Sequence, residues 1–487
     1  NIPGAIIFAS KCNCNWANTY PYAIGPRIGA AYQIDAKTVF RAGWGLVYEP
    51  ITTGFGRSSA IAGLYTTASV AGFDEPAFSL QQGYPTNLYP SFPSFNTGFY
   101  PSPGTNSPSP VYVDPNAARP GRINQWSLGL QREITHNFVL EASYIGNRAV
   151  WLPASFSPIN FVTPQGLANL GLNITNTTDD TLLTTQIAQL SGAQLARGFG
   201  NIPYASFPAS ATVRQALLQF PQFNPVVSGA AQGDSWYDAL QTKGTKRLSH
   251  GLSVTGSFTW SKNTILTSAV NDTFNRNLSK QLASTDQPFE LTVSPTYQVP
   301  KLGINKYASW ALRDWTIGAF LQYGSGFPLA QPGPSTSPSM ATILGRATAA
   351  NVNPGVSFLS VSNINCRCFD PNKAFVLNPA AWSNPGVGQW GDAANNYATY
   401  RTFRRPVENF NVGRTFRVKE KYTVNIRMEF QNVFNRTYLN NPTNTGFASP
   451  QLINSQGLPS GFGAINTAGG STFLPPRSGY IVGRFQF

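Results

Sequence analysis

Three observations predict an all-β fold for this 487-residue chain, a transmembrane antiparallel β-barrel with long extracellular loops. The last ten residues, SGYIVGRFQF, alternate apolar or small side chains with polar ones and stop on an aromatic residue. The same period of two recurs in about eleven segments of roughly the 9–11 residues that a tilted spanning strand needs. These segments are joined alternately by tight turns and by long connections, an asymmetry that a soluble sandwich does not require.

Composition agrees. Only 11% of residues are charged, against about 25% in ordinary soluble domains, while 13% are aromatic and Gly and Pro number 44 and 38. The mean hydropathy of −0.17 is too polar for a helical membrane protein, and no stretch approaches the roughly 18 consecutive apolar residues of a spanning helix. A barrel needs no such stretch, because only every second residue of a strand meets lipid. The chain begins with Asn1 and shows no signal-peptide pattern, so an exported protein of this kind is expected to have its start elsewhere.

Taken in order, residues 28–34 and 38–48 flank the turn Asp35-Ala36-Lys37, and residues 126–130 and 138–144 flank Thr135-His136-Asn137. Residues 237–247 and 252–260 flank Ser249-His250-Gly251. The run Leu252, Val254, Gly256, Phe258, Trp260 alternates with Ser253, Thr255, Ser257, Thr259, Ser261. Segment 237–247 has the weakest pattern, since Asp238 falls on the side opposite Tyr237, Ala239 and Gln241. Residues 289–299 and 315–323 follow, then 410–418 and 422–434 around Lys419-Glu420. In the last of these Tyr422, Val424, Ile426, Met428 and Phe430 are expected to face lipid, with Arg427 and Glu429 facing the lumen, where their charges cost least. In the closing strand Ile481, Gly483, Phe485 and Phe487 share one side, and Tyr480, Val482, Arg484 and Gln486 the other. Tyr480, Ile481, Phe485 and Phe487 look like the closing signal read by the barrel-assembly machinery, and Arg484 is expected to face the lumen.

Several of these segments resemble a known family. PRIGAAYQIDAKTVFRAGWGLVYEP, NQWSLGLQREITHNFVLEASYIGNRAVWL, YDALQTKGTKRLSHGLSVTGSFTWSKN, DWTIGAFLQYGSGFPL and FNVGRTFRVKEKYTVNIRMEFQNVFNRTYLNNP are similar, in order, to the barrel of Oar-like TonB-dependent outer-membrane receptors. The resemblance implies a barrel of about 22 strands around a plug, of which residues 26–487 would be the carboxy-terminal half and residues 1–25 the tail of an extracellular loop. It further implies uptake of a large or scarce solute across the outer membrane of a Gram-negative bacterium. Energy would come from the TonB complex through an amino-terminal region that, with the plug and the regulatory-like domain, is not visible here. A complementary barrel half is then required, because unpaired edges in hydrocarbon cost several kcal/mol per backbone group.

No cofactor, metal or catalytic site is expected. The two histidines, His136 and His250, lie in separate tight turns, too little for a triad or a multi-His metal centre. Gly324-Ser325-Gly326 precedes Phe327-Pro328 rather than a helix, and so reads as a turn. Cys12, Cys14, Cys366 and Cys368 fall in external connections, where disulfides are favoured over thiols. A four-cysteine zinc site is disfavoured because each pair is separated by one residue rather than two to four. Pairing across the two loops and a tighter bridge within each pair both stand.

The net charge of +14 does not point to nucleic acid, since Arg41, Lys243, Arg247, Arg417 and Arg427 are scattered over inward strand positions. Lipopolysaccharide outside or an anion-favouring lumen suits that distribution better. Ligand recognition is expected in the long connections, in aromatic stretches such as 84–100 and 382–400. Leu182, Leu183, Ile187, Leu190 and Leu195 suggest a short amphipathic helix in one of them. A surface structural or adhesion protein anchored by a barrel, and a passive porin, are the competing functions.

Overall fold

The computed structural model describes residues 18–49, 79, 81, 116, 119–205, 207–267, 272–300, 305–334, 343–344, 348–366, 368–418, 422–467 and 476–487. Eleven strands run through one antiparallel sheet in chain order. They are β1 (Arg27–Asp35), β2 (Thr38–Tyr48), β3 (Arg122–Thr135), β4 (Phe138–Ile159), β5 (Val226–Ser249) and β6 (Leu252–Leu266), then β7 (Phe289–Gln298), β8 (Trp315–Gly324), β9 (Val407–Val418), β10 (Tyr422–Gln431) and β11 (Ser478–Gln486). The two-residue strand Gln281–Leu282 adds beside the far end of β6. Among the described residues, the outer edges of β1 and β11 have no strand partner.

Turn chemistry sets the register. At the β1–β2 turn the Asp35 carboxylate accepts the Lys37 N–H at 2.7 Å and the Thr38 hydroxyl at 3.1 Å, a local bond that competes with further strand extension. At the β5–β6 turn His250 and Gly251 have φ of 50° and 80°, the pair of left-handed residues that a tight hairpin matching the strand twist demands. A Cβ at Gly251 would collide with the Gln298 carbonyl oxygen of β7. Strand β10 ends at Gln431, short of the expected Phe434, because Asn432 turns to φ 48° and its side chain closes a loop onto the Arg436 backbone.

The registers bring alternate residues of all eleven strands onto common faces. One ladder runs Leu128, Tyr144, Leu240, Trp260, Phe289 across β3 to β7. Another runs Ile317, Val412, Met428, Ile481 across β8 to β11. The opposite face carries Thr415, Asn425 and Arg484 in one row and Asn411, Glu429 and Tyr480 in another. A one-residue slip anywhere would mix the two sets. The charged exceptions on the apolar face lie toward its rims: Arg132, Lys246 and Arg414 near the tight turns, and Arg122, Arg148, Asp234, Asp238, Lys262 and Glu408 toward the long connections.

Among the described residues the sheet itself carries only a small buried cluster, Ala154, Phe156 and Leu266 with Trp236, at the outer ends of β4 to β6. Trp260 is 63% exposed and Ile481 72%, whereas the two largest clusters of buried apolar residues lie in the long connections. β4 and β5 have 22 and 24 residues, roughly twice the spanning length, and their outer halves carry a small helical unit. That unit holds α1 (Pro164–Asn169), α2 (Thr177–Thr184), α3 (Gly192–Ala196) and α4 (Val213–Ala216). The expected single amphipathic helix is therefore broken. Leu182 and Leu183 in α2 are fully buried, while Leu195 in α3 is half exposed. On the opposite rim α5 (Lys306–Leu312) links β7 to β8, capped by the Asn305 side chain on the Ala308 N–H at 2.8 Å.

Candidate functional site: the loop assembly above the polar face

The connections from β8 to β9 and from β10 to β11 fold together around an aromatic cluster. Phe358 stacks on Trp382 with ring centroids 5.2 Å apart, and Phe462 meets Trp382 edge-on at 5.5 Å. Tyr400 packs against both Phe358 and Trp382 at 5.3 and 5.7 Å. Such pairs add about 0.5–1.5 kcal/mol each beyond burial. Gly461 and Gly463 flank Phe462 with φ of 88° and 79°, and a side chain at either would meet the Pro450 or Leu377 backbone. The glycines thus let the chain turn tightly enough to insert Phe462. Trp382 and Tyr400, which bound the aromatic stretch 382–400 where recognition is expected, are core residues. The stretch 84–100 lies outside the described residues.

A second cluster ties the helical unit to the same assembly, for Leu167, Leu182, Leu183 and Val213 pack with Ile343 and Leu344 of the β8–β9 connection. Within the unit, Asp179 accepts the Asn173 N–H at 2.8 Å and the Arg197 guanidinium at 2.8 Å. Burial, the largest single influence on Asp179, pushes its pKa up, but those two hydrogen bonds together hold it below the ordinary carboxylate value.

Ion pairs latch the assembly to the wall. The side chain of Glu408, near the outer end of β9, is 1% exposed. It receives two bonds from Arg436, one of them Nη2 to Oε1 at 2.8 Å, and the Tyr323 hydroxyl of β8 at 2.9 Å. The Glu408 carboxylate in turn raises the Arg436 pKa above its ordinary value. Arg401 donates to the Asp286 carboxylate at 2.6 Å and to the Asp286 carbonyl at 2.9 Å, joining the β8–β9 and β6–β7 connections. Since each carboxylate is buried, its partner is what makes the charge tolerable there.

Below the assembly lies the polar face. Arg427, Glu429 and Arg484 share it, and Arg427 forms an ion pair with Glu429. Tyr480 is on the same face, where its hydroxyl accepts Gln431 Nε2 at 2.9 Å. Ile481, Phe485 and Phe487 point the other way, with Phe485 stacked on Tyr422 at 6.0 Å and on Phe487 at 5.9 Å. Cys366 and Cys368 are bridged to each other, whereas Cys12 and Cys14 lie outside the described residues. His136 and His250 sit in their separate turns. Among the described residues no group of three or more His, Cys, Asp or Glu side chains converges to hold a metal. Sequence reasoning missed the latches, since nothing local marks Glu408, Arg436 or Asp286 as partners.

A family model described as outer membrane beta barrel domain matches residues 2–478. No curated protein matches the sequence. Among solved structures, P. aeruginosa FpvA in an iron–pyoverdine complex shows 9% identity and a TM-score of 0.38 over 95% of this chain and 32% of its own. The ferric-catecholate import receptor Fiu from E. coli K12 shows 9% and 0.37 over 94% and 34%. The ferric citrate transporter FecA, unliganded, shows 10% and 0.36 over 95% and 38%. The chain spans about a third of the length of these structures.

Proposed function

Because the chain belongs to the outer membrane beta barrel domain family and is thereby placed in the outer membrane, we propose that it supplies wall and outer loops of a TonB-dependent receptor. The whole receptor takes up a large or scarce solute. One observation carries this reading: eleven strands present one continuous apolar face and one polar face, and every long connection leaves from the same rim. The apolar face meets lipid, because Arg427, Glu429 and Arg484 on the other would each be costly in hydrocarbon. The rim bearing the latched loop assembly faces outward, where a solute is first met. The Oar-like character of the wall segments supports the same assignment.

In this reading the open edges of β1 and β11 pair with complementary strands, since hydrocarbon offers their backbone groups no alternative partner. Coupling to TonB occurs through a region outside this chain. Uptake of labelled large solutes by cells carrying the complete receptor tests the proposal. Uptake should collapse when TonB is deleted or the proton gradient is dissipated. Passive entry that persists under both treatments would identify a porin instead. A surface-assembly role has one observation in its favour, the exposed apolar ribbon at Leu452 and Ile453 in the β10–β11 connection. Loss of ordered contacts between molecules on polar substitution of these two residues, with no energised uptake by the wild type, would decide for it.

A further inference from the structure

We propose that the Cys366–Cys368 bridge in the β8–β9 connection is a thiol–disulfide exchange site, opened and closed by small soluble thiols and their disulfides. The inference goes beyond solute uptake and does not depend on which rim faces outward. Its starting point is what the bridge fails to do. The two cysteines are separated by one residue, so the crosslink ties no element to another and closes nearly the shortest loop a bridge can close. Chain-entropy stabilisation grows with the length of that loop, and here it is close to its minimum.

Non-covalent contacts hold the same stretch in place on both sides of the bridge. Ile364 is buried in the aromatic cluster, and Phe369 packs against it. The Asn365 side chain accepts the Arg404 N–H at 2.7 Å, and the Asn363 side chain accepts the Asn365 N–H at 2.8 Å. Further along, the Asp370 carboxylate accepts the Asn372 N–H at 2.9 Å, and the Asp370 carbonyl accepts the N–H groups of Lys373 and Ala374 at 3.0 and 2.9 Å. Opening the bridge therefore leaves the loop docked, and a crosslink that the fold does not need is free to serve chemistry.

The two sulfurs differ in access, and each has a partner for its reduced form. Cys368 is exposed, whereas Cys366 is half-buried. The Ser362 hydroxyl lies 3.8 Å from the Cys368 Sγ, within reach to donate to a thiolate there. The Asn363 carbonyl oxygen lies 2.8 Å from the Cys366 Sγ, where it accepts an S–H proton once the bridge is open. These contacts give the exchange a direction. An incoming thiolate bonds to the Cys368 Sγ as the bridge breaks, and the electron pair leaves on the Cys366 Sγ, which takes a proton from water. A second thiolate then attacks the incoming sulfur of the mixed disulfide and releases Cys368 as a thiolate facing Ser362. Two small thiols become one disulfide, the bridge is reduced by two electrons, and the reverse sequence closes it.

The test uses the complete receptor purified in detergent, in a buffer of about 5 mM glutathione with about a tenfold smaller concentration of its disulfide. Alkylation followed by peptide-level mass spectrometry reads Cys366 and Cys368 separately from Cys12 and Cys14. More than about half of the bridges should open, against fewer than about one in a hundred for a structural disulfide in the same buffer. Hydrogen exchange at Val376, Leu377 and Trp382 should change by less than about twofold on opening. Cys366→Ser leaves the exposed sulfur and should form a mixed disulfide with oxidised glutathione about tenfold faster than Cys368→Ser. A bridge that stays closed in this buffer, exchange that rises through the aromatic cluster as it opens, or equal rates in the two variants would overturn the proposal. The first two readouts use the unaltered chain, so they decide the matter if a variant fails to fold. Uptake plays no part in any of them, so failure here is separable from failure of the receptor assignment.

Discussion

The wall and the loop assembly solve the burial of apolar surface in opposite ways. In the wall, Ile317, Val412, Met428 and Ile481 form an uninterrupted ladder that joins none of the buried clusters among the described residues. In the loop assembly, Phe358, Trp382, Tyr400 and Phe462 pack on one another, and Tyr400 and Phe462 are fully buried. The difference follows from the solvent each region meets. Lipid accepts single apolar side chains without requiring a core, whereas a loop in water orders only if it buries enough apolar surface to offset its conformational entropy.

The largest expected effect is in the loop assembly. Trp382→Ala removes the ring at the centre of the aromatic cluster and should destabilise the assembly by about 3–5 kcal/mol. Limited proteolysis should then cut within residues 348–406 and 432–466 while the wall remains heat-modifiable. A wall that fails to assemble in this variant would show that the two regions fold as one unit.

In the wall the effect depends on side and depth. Met428→Arg, in the middle of the apolar ladder, should cost about 2–4 kcal/mol and lower the assembled yield, while Asn425→Arg on the polar face should cost little. Ile426→Arg should fall between them, because Ile426 pairs with Arg414 close to the tight-turn rim. Equal yields for Met428→Arg and Asn425→Arg would break the assignment of faces.

The latch between the two regions comes next. Arg436→Met leaves Glu408 buried with only the Tyr323 hydroxyl, and should loosen the β10–β11 connection by about 2 kcal/mol. Hydrogen exchange should rise in residues 432–467 and not along β10. A uniform rise through both would mean the latch supports the wall as well.

The smallest effect is a pH response. Asp179 has a folded pKa below the ordinary carboxylate value, so the stability it adds is present above that ordinary value and is lost as pH falls through the lower folded pKa. Exchange protection of α2 and α3 should therefore weaken at acid pH, and Asp179→Asn should remove that pH dependence. The wall ladder of Ile317, Val412, Met428 and Ile481 carries no titrating group and should not follow.

The strands, their order and the division of residues such as Met428 and Arg427 between two faces were legible from the alternation itself. Asp238 stood out as the flaw in its strand's pattern, but its partner Tyr144 is 94 residues away and no local signal points to it. The same holds for Glu408 with Arg436 and for Asp286 with Arg401. By itself the sequence determined what every second residue of a strand must be, because lipid and lumen act on each side chain separately and so leave a local, periodic mark. Only the tertiary structure decided which loop aromatics become core and which carboxylates are latched. Those outcomes depend on contacts between chain segments far apart in sequence, and such contacts impose no period on either segment.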